Sequence, residues 1–214
     1  MKRTPTAVIE TKGRRRRTQE DVGDRLGAAL GTGVDVANRT IYLIGVVDME
    51  MAGRAVVALD LMGQESGPIR ILLASAGGDV DAGFAIYDAI RTCPQPVLVE
   101  GYGLVQSMAT CIMQAATVRV LAPECRVMVH EGSVGLHEVS PRKLEDLTRE
   151  IVFLHDRYCA IISERSGLSL DKARELCGQE SFMSAEEAVG LGLADAILRT
   201  SNPAPMRPAR KVKK

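Results

Sequence analysis

Apolar residues along this chain follow two periods that alternate. Short runs at Ile41-Tyr42-Leu43-Ile44, Ile69 to Ala74, Val97-Leu98-Val99, Val118 to Leu121 and Arg126 to Val129 read as strands. Between them, apolar residues recur at three- and four-residue steps. One such stretch follows Asp48, a residue suited to cap a helix, and carries Met51, Ala55, Leu59 and Met62 on one side. A second runs through Phe84, Ile86 and Ile90 and stops before Pro94. A third, rich in Ala, Met and Ile, follows Ser107. This alternation predicts βαβ units in an α/β domain. The longest helical stretch, Pro141 to about Arg165, sets Leu144, Leu147, Ile151, Leu154, Tyr158 and Ile161 in a narrow stripe, suited to packing on its own domain or on a partner subunit. Ser184-Ala185-Glu186-Glu187 has the form of a capping box, which makes Ser184 structural.

The ends break the pattern. Residues 1–40 are polar and glycine-rich, with an arginine run from Arg14 to Arg17, and are expected to form a partly disordered arm with a short helical piece. Residues 200–214, basic and proline-bearing, are expected to be a disordered tail, leaving 41–199 as the folded domain. A chain of 214 residues suffices for one domain with a substantial core. With aromatics at 3% and no Trp, that core falls to Ala, Val, Ile, Leu and Met.

Charge balances in sum, 27 basic against 27 acidic side chains, but not in place. Residues 1–40 hold nine basic and five acidic groups, and 201–214 five basic and none acidic, which leaves thirteen basic against twenty-two acidic in 41–200. Basic ends on an acidic body are read as solvated termini, and no nucleic-acid partner is expected. The five cysteines show no CxxC or CxxxH spacing, so neither a disulfide framework nor a zinc site is indicated and no metal or other cofactor is expected. Cys111 and Cys159 fall on apolar faces and read as small hydrophobes. Without an apolar leader or a bilayer-length apolar run, the expected setting is the cytoplasm, with no membrane contact.

Two short segments carry candidate chemistry. Ser75-Ala76-Gly77-Gly78 follows a strand and precedes a helix. Its glycine pair serves either a tight turn or a close approach of backbone N–H groups to a ligand, as an oxyanion hole or anion nest requires. It lacks the Lys-Ser/Thr ending of a phosphate loop and the spacing of a dinucleotide fingerprint. Ser107 lies between Gly103-Leu104-Val105-Gln106 and an apolar helix, where a serine is ordinarily an N-cap. The Met108 N–H at that helix start could face a developing oxyanion, and the local dipole favours negative charge. A serine hydroxyl becomes a nucleophile only when a base takes its proton. His130, at a strand end, is the best candidate base, whereas His137 in a loop and His155 on the long helix read as solvated. Several acids could orient the imidazole, and local reasoning does not choose among them.

Gly77-Gly78, Ala85-Ile86-Tyr87-Asp88, Gln106-Ser107-Met108-Ala109, Arg126-Val127-Met128-Val129-His130 and Phe182-Met183-Ser184-Ala185-Glu186-Glu187-Ala188 occur in this order. Together they resemble the proteolytic subunit of the Clp protease, a self-compartmentalised serine peptidase of the crotonase-like fold, over roughly residues 40–199. The resemblance implies repeated β-β-α units with a long handle helix at Pro141–Arg165. It implies Ser107 as nucleophile, His130 as general base, and the backbone N–H groups of Gly78 and Met108 as oxyanion hole. The orienting carboxylate, an Asp two residues before the Phe of Phe-x-Ser-Ala, corresponds to Glu180, one methylene longer.

Other positions depart from the family pattern. Gly-Gln-Ala-Ala-Ser becomes Gly103-Leu104-Val105-Gln106-Ser107, and His-Gln-Pro becomes His130-Glu131-Gly132. Two residues are missing between Ser107 and His130, near Ala116, and Ser133-Val134-Gly135-Leu136-His137 replaces a Gly/Gln-rich loop. Aromatic residues that line the pocket for an AAA+ unfoldase's hydrophobic loop correspond to Arg70, Leu72 and Thr92, which implies altered docking. The resemblance further implies polypeptide substrates and two stacked heptameric rings, built as a homo-oligomer or as a mixed ring with a paralogue. Two alternatives stand beside this expectation. One is a weakly active or non-catalytic structural paralogue in a mixed Clp ring. The other is an acyl-CoA enzyme of the broader fold, which would use the two N–H groups for an enolate without needing Ser107 and His130 together.

Overall fold

The computed structural model describes residues 19–132 and 140–199. The Arg14–Arg17 run, the loop 133–139 with His137, and the tail 200–214 lie outside the described residues. A parallel sheet forms the centre. Strands β2 (Thr40–Ile44), β3 (Ile69–Ser75), β4 (Val97–Gln106), β5 (Val118–Leu121) and β8 (Ala196–Ile197) lie side by side in that order. The returns between β2, β3 and β4 are made by α2 (Met49–Gly63) and α3 (Val80–Thr92). Both helices start where an aspartate supplies the missing acceptor. Asp48 takes the Met51 N–H and Asp79 takes the Ala82 N–H, each at 2.8 Å. Strand β3 buries Ile69, Ile71, Leu73 and Ser75 on its helix-covered face and leaves Arg70, Leu72 and Ala74 half-buried on the other.

Two elements precede Ile41, where the apolar runs begin. Helix α1 (Gln19–Thr32) fulfils the short helical piece expected in the arm, and β1 (Val34–Asp35) pairs antiparallel with β2 at the edge of the sheet. Asp35 is buried there and bonds the Arg25 guanidinium of α1, so the arm is tied to the sheet by an ion pair.

Strand β4 is longer than its apolar run suggests. The pattern predicts Val97–Val99, but pairing carries the strand on through two glycines to Gln106. Leu73 pairs with Gly101 and Ser75 with Val105, so β4 bulges between those pairs. Beyond the bulge it leaves β5 and pairs with β6 (Arg126–Val129). A Cβ at Gly101 would stand 2.7 Å from Leu121 Cδ2 and 2.8 Å from Val105 Cγ2, so both buried side chains would have to shift to admit it. The bend swings the end of β4 into a second layer, made with β6 and the antiparallel β7 (Ser181–Met183).

Helix α4 (Met108–Gln114) is wholly buried behind this joint. Helix α5 (Pro141–Ser166) packs across it, capped by Ser140, opened by Pro141 and closed by Gly167 at φ 78°. Within the chain α5 buries only Tyr158, Cys159 and Ile162, while Leu144, Val152 and Phe153 toward its start are exposed. Helices α6 (Leu170–Gly178) and α7 (Ala185–Gly190) complete the fold, with the Ser184 capping box in place on α7. The apolar pattern does not single out α6, β7 or β8, whose segments are too short to show a period.

The C-terminal strand is locked on by a polar network. Buried Arg119 donates to both Asp195 carboxylate oxygens, to the Gln114 amide oxygen and to the Gly192 carbonyl. Asp195 also takes the Arg119 backbone N–H at 2.7 Å. Burial alone would push the Asp195 carboxyl up, but the Arg119 side-chain and backbone hydrogen bonds and the guanidinium charge outweigh it and hold it below the usual carboxylate range. A lowered folded-state pKa contributes stability that is present above the unfolded value and lost as pH falls through the folded one. Asp195→Asn is therefore expected to lower unfolding free energy at neutral pH by about 1–2 kcal/mol, the low end for a charged hydrogen bond because Asp195 is 40% exposed. Denaturant titrations against pH should show the gap between wild type and variant closing in strong acid.

Candidate active site

Ser107 joins β4 to α4 in a backbone conformation, φ 53° and ψ −125°, that L residues seldom adopt. Such a residue costs about 1–3 kcal/mol and persists only where its surroundings enforce it. The enforcing contacts are specific. The Ser107 N–H donates to the Met128 carbonyl at 2.9 Å, which fixes it against the end of β6. Buried Thr110 sits one turn on, its hydroxyl 2.9 Å from the Val105 carbonyl and 2.8 Å from the Met128 carbonyl, stitching β4 to β6 just behind the serine. The Tyr158 hydroxyl on α5 donates to the Ser107 carbonyl at 3.1 Å. Burial holds this phenol well above its ordinary pKa, so it stays a donor.

The ordinary role of a serine at a helix start is not fulfilled here. Ser107 makes no side-chain cap bond. Its Oγ instead lies 2.8 Å from Nε2 of His130, the residue following β6. That is the distance at which an imidazole can take the hydroxyl proton. Strand pairing brings the two together, since β4 and β6 run parallel with Gln106 opposite Met128.

The glycine pair makes the tight turn and comes close to Ser107. Gly77 and Gly78 take φ 94° and 152°, as a tight turn needs. They also approach the serine, for a Cβ on Gly77 would stand 2.7 Å from Ser107 Cβ. A Cβ on Gly78 would stand 2.2 Å from the Val47 carbonyl oxygen. The turn is pinned by Val47, whose N–H donates to Gly77 and whose carbonyl accepts from Asp79. Among the described residues, neither the Gly78 N–H nor the Met108 N–H donates to another protein group. Two uncommitted amides beside a serine hydroxyl suit a negatively charged oxygen.

Glu180 stands at the foot of the antiparallel β6–β7 ladder. Val129 pairs with Ser181, so the register carried one residue further sets Glu180 opposite His130. Its backbone takes φ 51°. The side chain is exposed and makes no hydrogen bond or ion pair among the described residues. The second nitrogen of His130, Nδ1, likewise has no partner among them.

A cleft of about 340 Å³ opens beside Ser107. Val80, Met108, Ile151 and Leu154 make its apolar wall, and His155 and Tyr158 complete the α5 side. The solvated reading of His155 is therefore corrected: the helical step from Ile151 and Leu154 turns it into the cleft, and the chain's own stripe held that signal. Tyr158 was legible only as a stripe residue, because nothing local marks its bond to Ser107. No group of three or more His, Cys, Asp or Glu side chains among the described residues is arranged to hold a metal ion. All five cysteines are unpaired, and burial pushes the thiol of Cys125 up to about 11 and that of Cys111 higher still.

Comparison with known proteins places these features in a family. The family model described as Clp protease matches residues 33–201. A proteolytic subunit 3 of the ATP-dependent Clp protease from Parasynechococcus marenigrum is 30% identical over 205 residues, covering 94% of this chain and 98% of its own length. A proteolytic subunit from Deinococcus radiodurans is 31% identical over 195 residues, covering 89% and 90% respectively. A proteolytic subunit 2 from Treponema denticola is 32% identical over 171 residues, covering 78% and 85%.

The approach of Ser107 and its neighbours leaves no room for a side chain at Gly77. Gly77→Ala is expected to destabilise the fold by about 3 kcal/mol, from combined overpacking and strain at positive φ. It should also abolish labelling of Ser107 by a fluorophosphonate, read by mass spectrometry alongside a thermal melt. Wild-type labelling by Gly77→Ala would contradict this packing account. Tyr158→Phe, which removes one hydrogen bond to a backbone carbonyl, should lower stability by about 1 kcal/mol and slow labelling without abolishing it.

Proposed function

This chain belongs to the Clp protease family, with its crotonase-like α/β fold, and we propose that it is a self-compartmentalised serine endopeptidase that cleaves unfolded polypeptides or peptides. The observation that carries this reading is the 2.8 Å contact between Ser107 Oγ and His130 Nε2 beside two uncommitted amides. Ser107 attacks the scissile carbonyl while His130 takes its proton. The Gly78 and Met108 N–H groups hold the oxyanion, and His130 passes the proton to the leaving amine. Water activated by the same imidazole then hydrolyses the acyl-enzyme. Glu180 is the orienting carboxylate in this reading, supported by the register that sets it opposite His130. Its extra methylene asks for a different rotamer from Asp, and other hydrolases use Glu in this role.

The chain is proposed to assemble into two stacked heptameric rings, either of one subunit type or mixed with a paralogue. What supports an assembly is the uncovered apolar surface of α5, with Leu144, Val152 and Phe153 exposed ahead of the buried Tyr158, Cys159 and Ile162. A cytoplasmic setting agrees with five unpaired cysteines, and no helix among the described residues is long and apolar enough to cross a membrane. An AAA+ unfoldase is the expected partner, with altered docking. The exposed sheet face offers it the Arg70 guanidinium, bonded to Glu100, which also accepts from the Tyr102 hydroxyl. Thr92 is exposed at the end of α3. An ion-paired surface is a poor receptor for an apolar loop. A non-catalytic structural paralogue would have no use for the strained Ser107 turn or its bond to His130, which weighs against that reading.

Labelling by a fluorophosphonate or β-lactone should disappear in Ser107→Ala and in His130→Ala. A well-assembled protein that never labels would sink the peptidase reading and favour the structural one. Glu180→Gln should lower peptide turnover by a hundredfold or more (~10²), given that loss of an orienting carboxylate in another hydrolase costs ~10⁴. In pull-downs, standard Clp unfoldases should bind weakly, and tight loop-dependent capture would refute the altered docking surface.

A further inference from the structure

The cleft beside Ser107 contains a second imidazole that acyl transfer does not use. His155 shares one face of α5 with Ile151, Leu154 and Tyr158, and all four line the cleft. Ile151 and Leu154, with Val80 and Met108 opposite, leave the wall apolar. The Tyr158 hydroxyl is already committed to the Ser107 carbonyl. Apart from Ser107 and His130, His155 is thus the side chain in this wall with a hydrogen-bonding group to offer.

What it offers is set from behind. His155 Nε2 lies 3.4 Å from the sulfur of Cys159, one helical turn on and fully buried. Cys177 on α6 faces that sulfur and, through its bond to Cys159 and its burial, keeps its own proton. The bond to Cys177 holds Cys159 below the usual thiol range, and its sulfur engages Nε2, leaving Nδ1 as the His155 nitrogen without a partner among the described residues. The cleft therefore presents one hydrogen-bonding ring nitrogen in an apolar wall. Charge of both signs lies close by, on Arg174, on the Asp156 carboxylate that it pairs with at 2.9 Å and on Glu131, and all three are felt at Cys159.

We propose that His155 is a specificity-determining residue, selecting for the position before the scissile bond a side chain with an apolar stem and a neutral hydrogen-bonding end, a glutamine-like amide, over an apolar side chain of equal length. This rests on the peptidase reading only in taking the cleft as the seat of that side chain. A thioether or aliphatic side chain seated there would bury the His155 ring nitrogen without a partner, and a site built to bond a polar group rejects the analogue that lacks it. A carboxylate seated against this apolar wall would lose hydration that one imidazole does not replace.

Binding tests this without turnover. Ser107→Ala protein is titrated calorimetrically with acetylated tripeptides that differ only in a final Gln, Met or Glu. The Gln peptide is expected to bind about tenfold tighter than the near-isosteric Met peptide, with Glu weaker than Gln. Adding His155→Leu should bring the Gln-to-Met ratio to about one by weakening Gln and not Met. Adding His155→Gln, which keeps a hydrogen-bonding group and is less disruptive, should retain part of the preference. A Gln-to-Met ratio unchanged in His155→Leu, or an equal loss for all three peptides, would overturn the proposal. Fluorophosphonate labelling of Ser107 in the His155→Leu protein, expected to persist, reports on the peptidase reading separately.

Discussion

Much of this structure is arranged around one backbone residue that would not hold its conformation alone. Ser107 at φ 53° and ψ −125° is unfavourable for any L residue, and four separate elements keep it there. The β3–α3 turn brings Gly77 close enough that no side chain fits between them. The end of β6 accepts its N–H, Thr110 of α4 binds the β4 and β6 carbonyls behind it, and α5 supplies a phenol to its carbonyl. The bulge in β4 belongs to the same arrangement, because without it the strand would run on beside β5 and never reach β6. Strain at the serine is thus distributed over the sheet joint rather than borne locally. The hydroxyl is left for His130 because the geometry denies it the usual cap.

Helix α5 holds the helix behind Ser107 at both ends. Tyr158 binds the Ser107 carbonyl at the start of α4, and two turns later Arg165 donates to the Gln114 and Ala116 carbonyls at its end, at 2.8 and 2.7 Å. A cation at that end also complements the helix dipole. The same helix contributes Ile151, Leu154 and His155 to the cleft wall and leaves its first half largely uncovered. Whatever covers that first half therefore acts on a rigid body that is bonded directly to the serine's own peptide unit.

The parts legible in the sequence were those with a short-range signal. Strands of alternating or continuous apolar residues, the Asp48 cap and the Ser184 box all appear where local pattern puts them, because each depends on neighbours a few residues away. Ser107 and His130 were legible as candidates, but their contact comes from strand pairing across more than twenty residues. The true length of β4 was hidden by Gly101 and Gly103, which read as a strand end yet fall within the strand at its bend. His155 was misread because charged neighbours, Asp156 and Arg157, make that turn of α5 look solvated, while its face is decided by Ile151 and Leu154. Glu180 came from motif counting alone, and register then set it opposite the imidazole without supplying a bond between them.

The closeness of Gly77 to Ser107 has a bearing on how such a chain could change over generations. Replacing the serine with a small residue would abolish the hydroxyl while disturbing little around it. Replacing the glycine would force apart two turns that hold the domain's layers together. A lineage released from selection for chemistry at this site would therefore shed the serine early and keep the glycine late. The order in which these two positions drift becomes a record of whether selection last acted on chemistry or on shape.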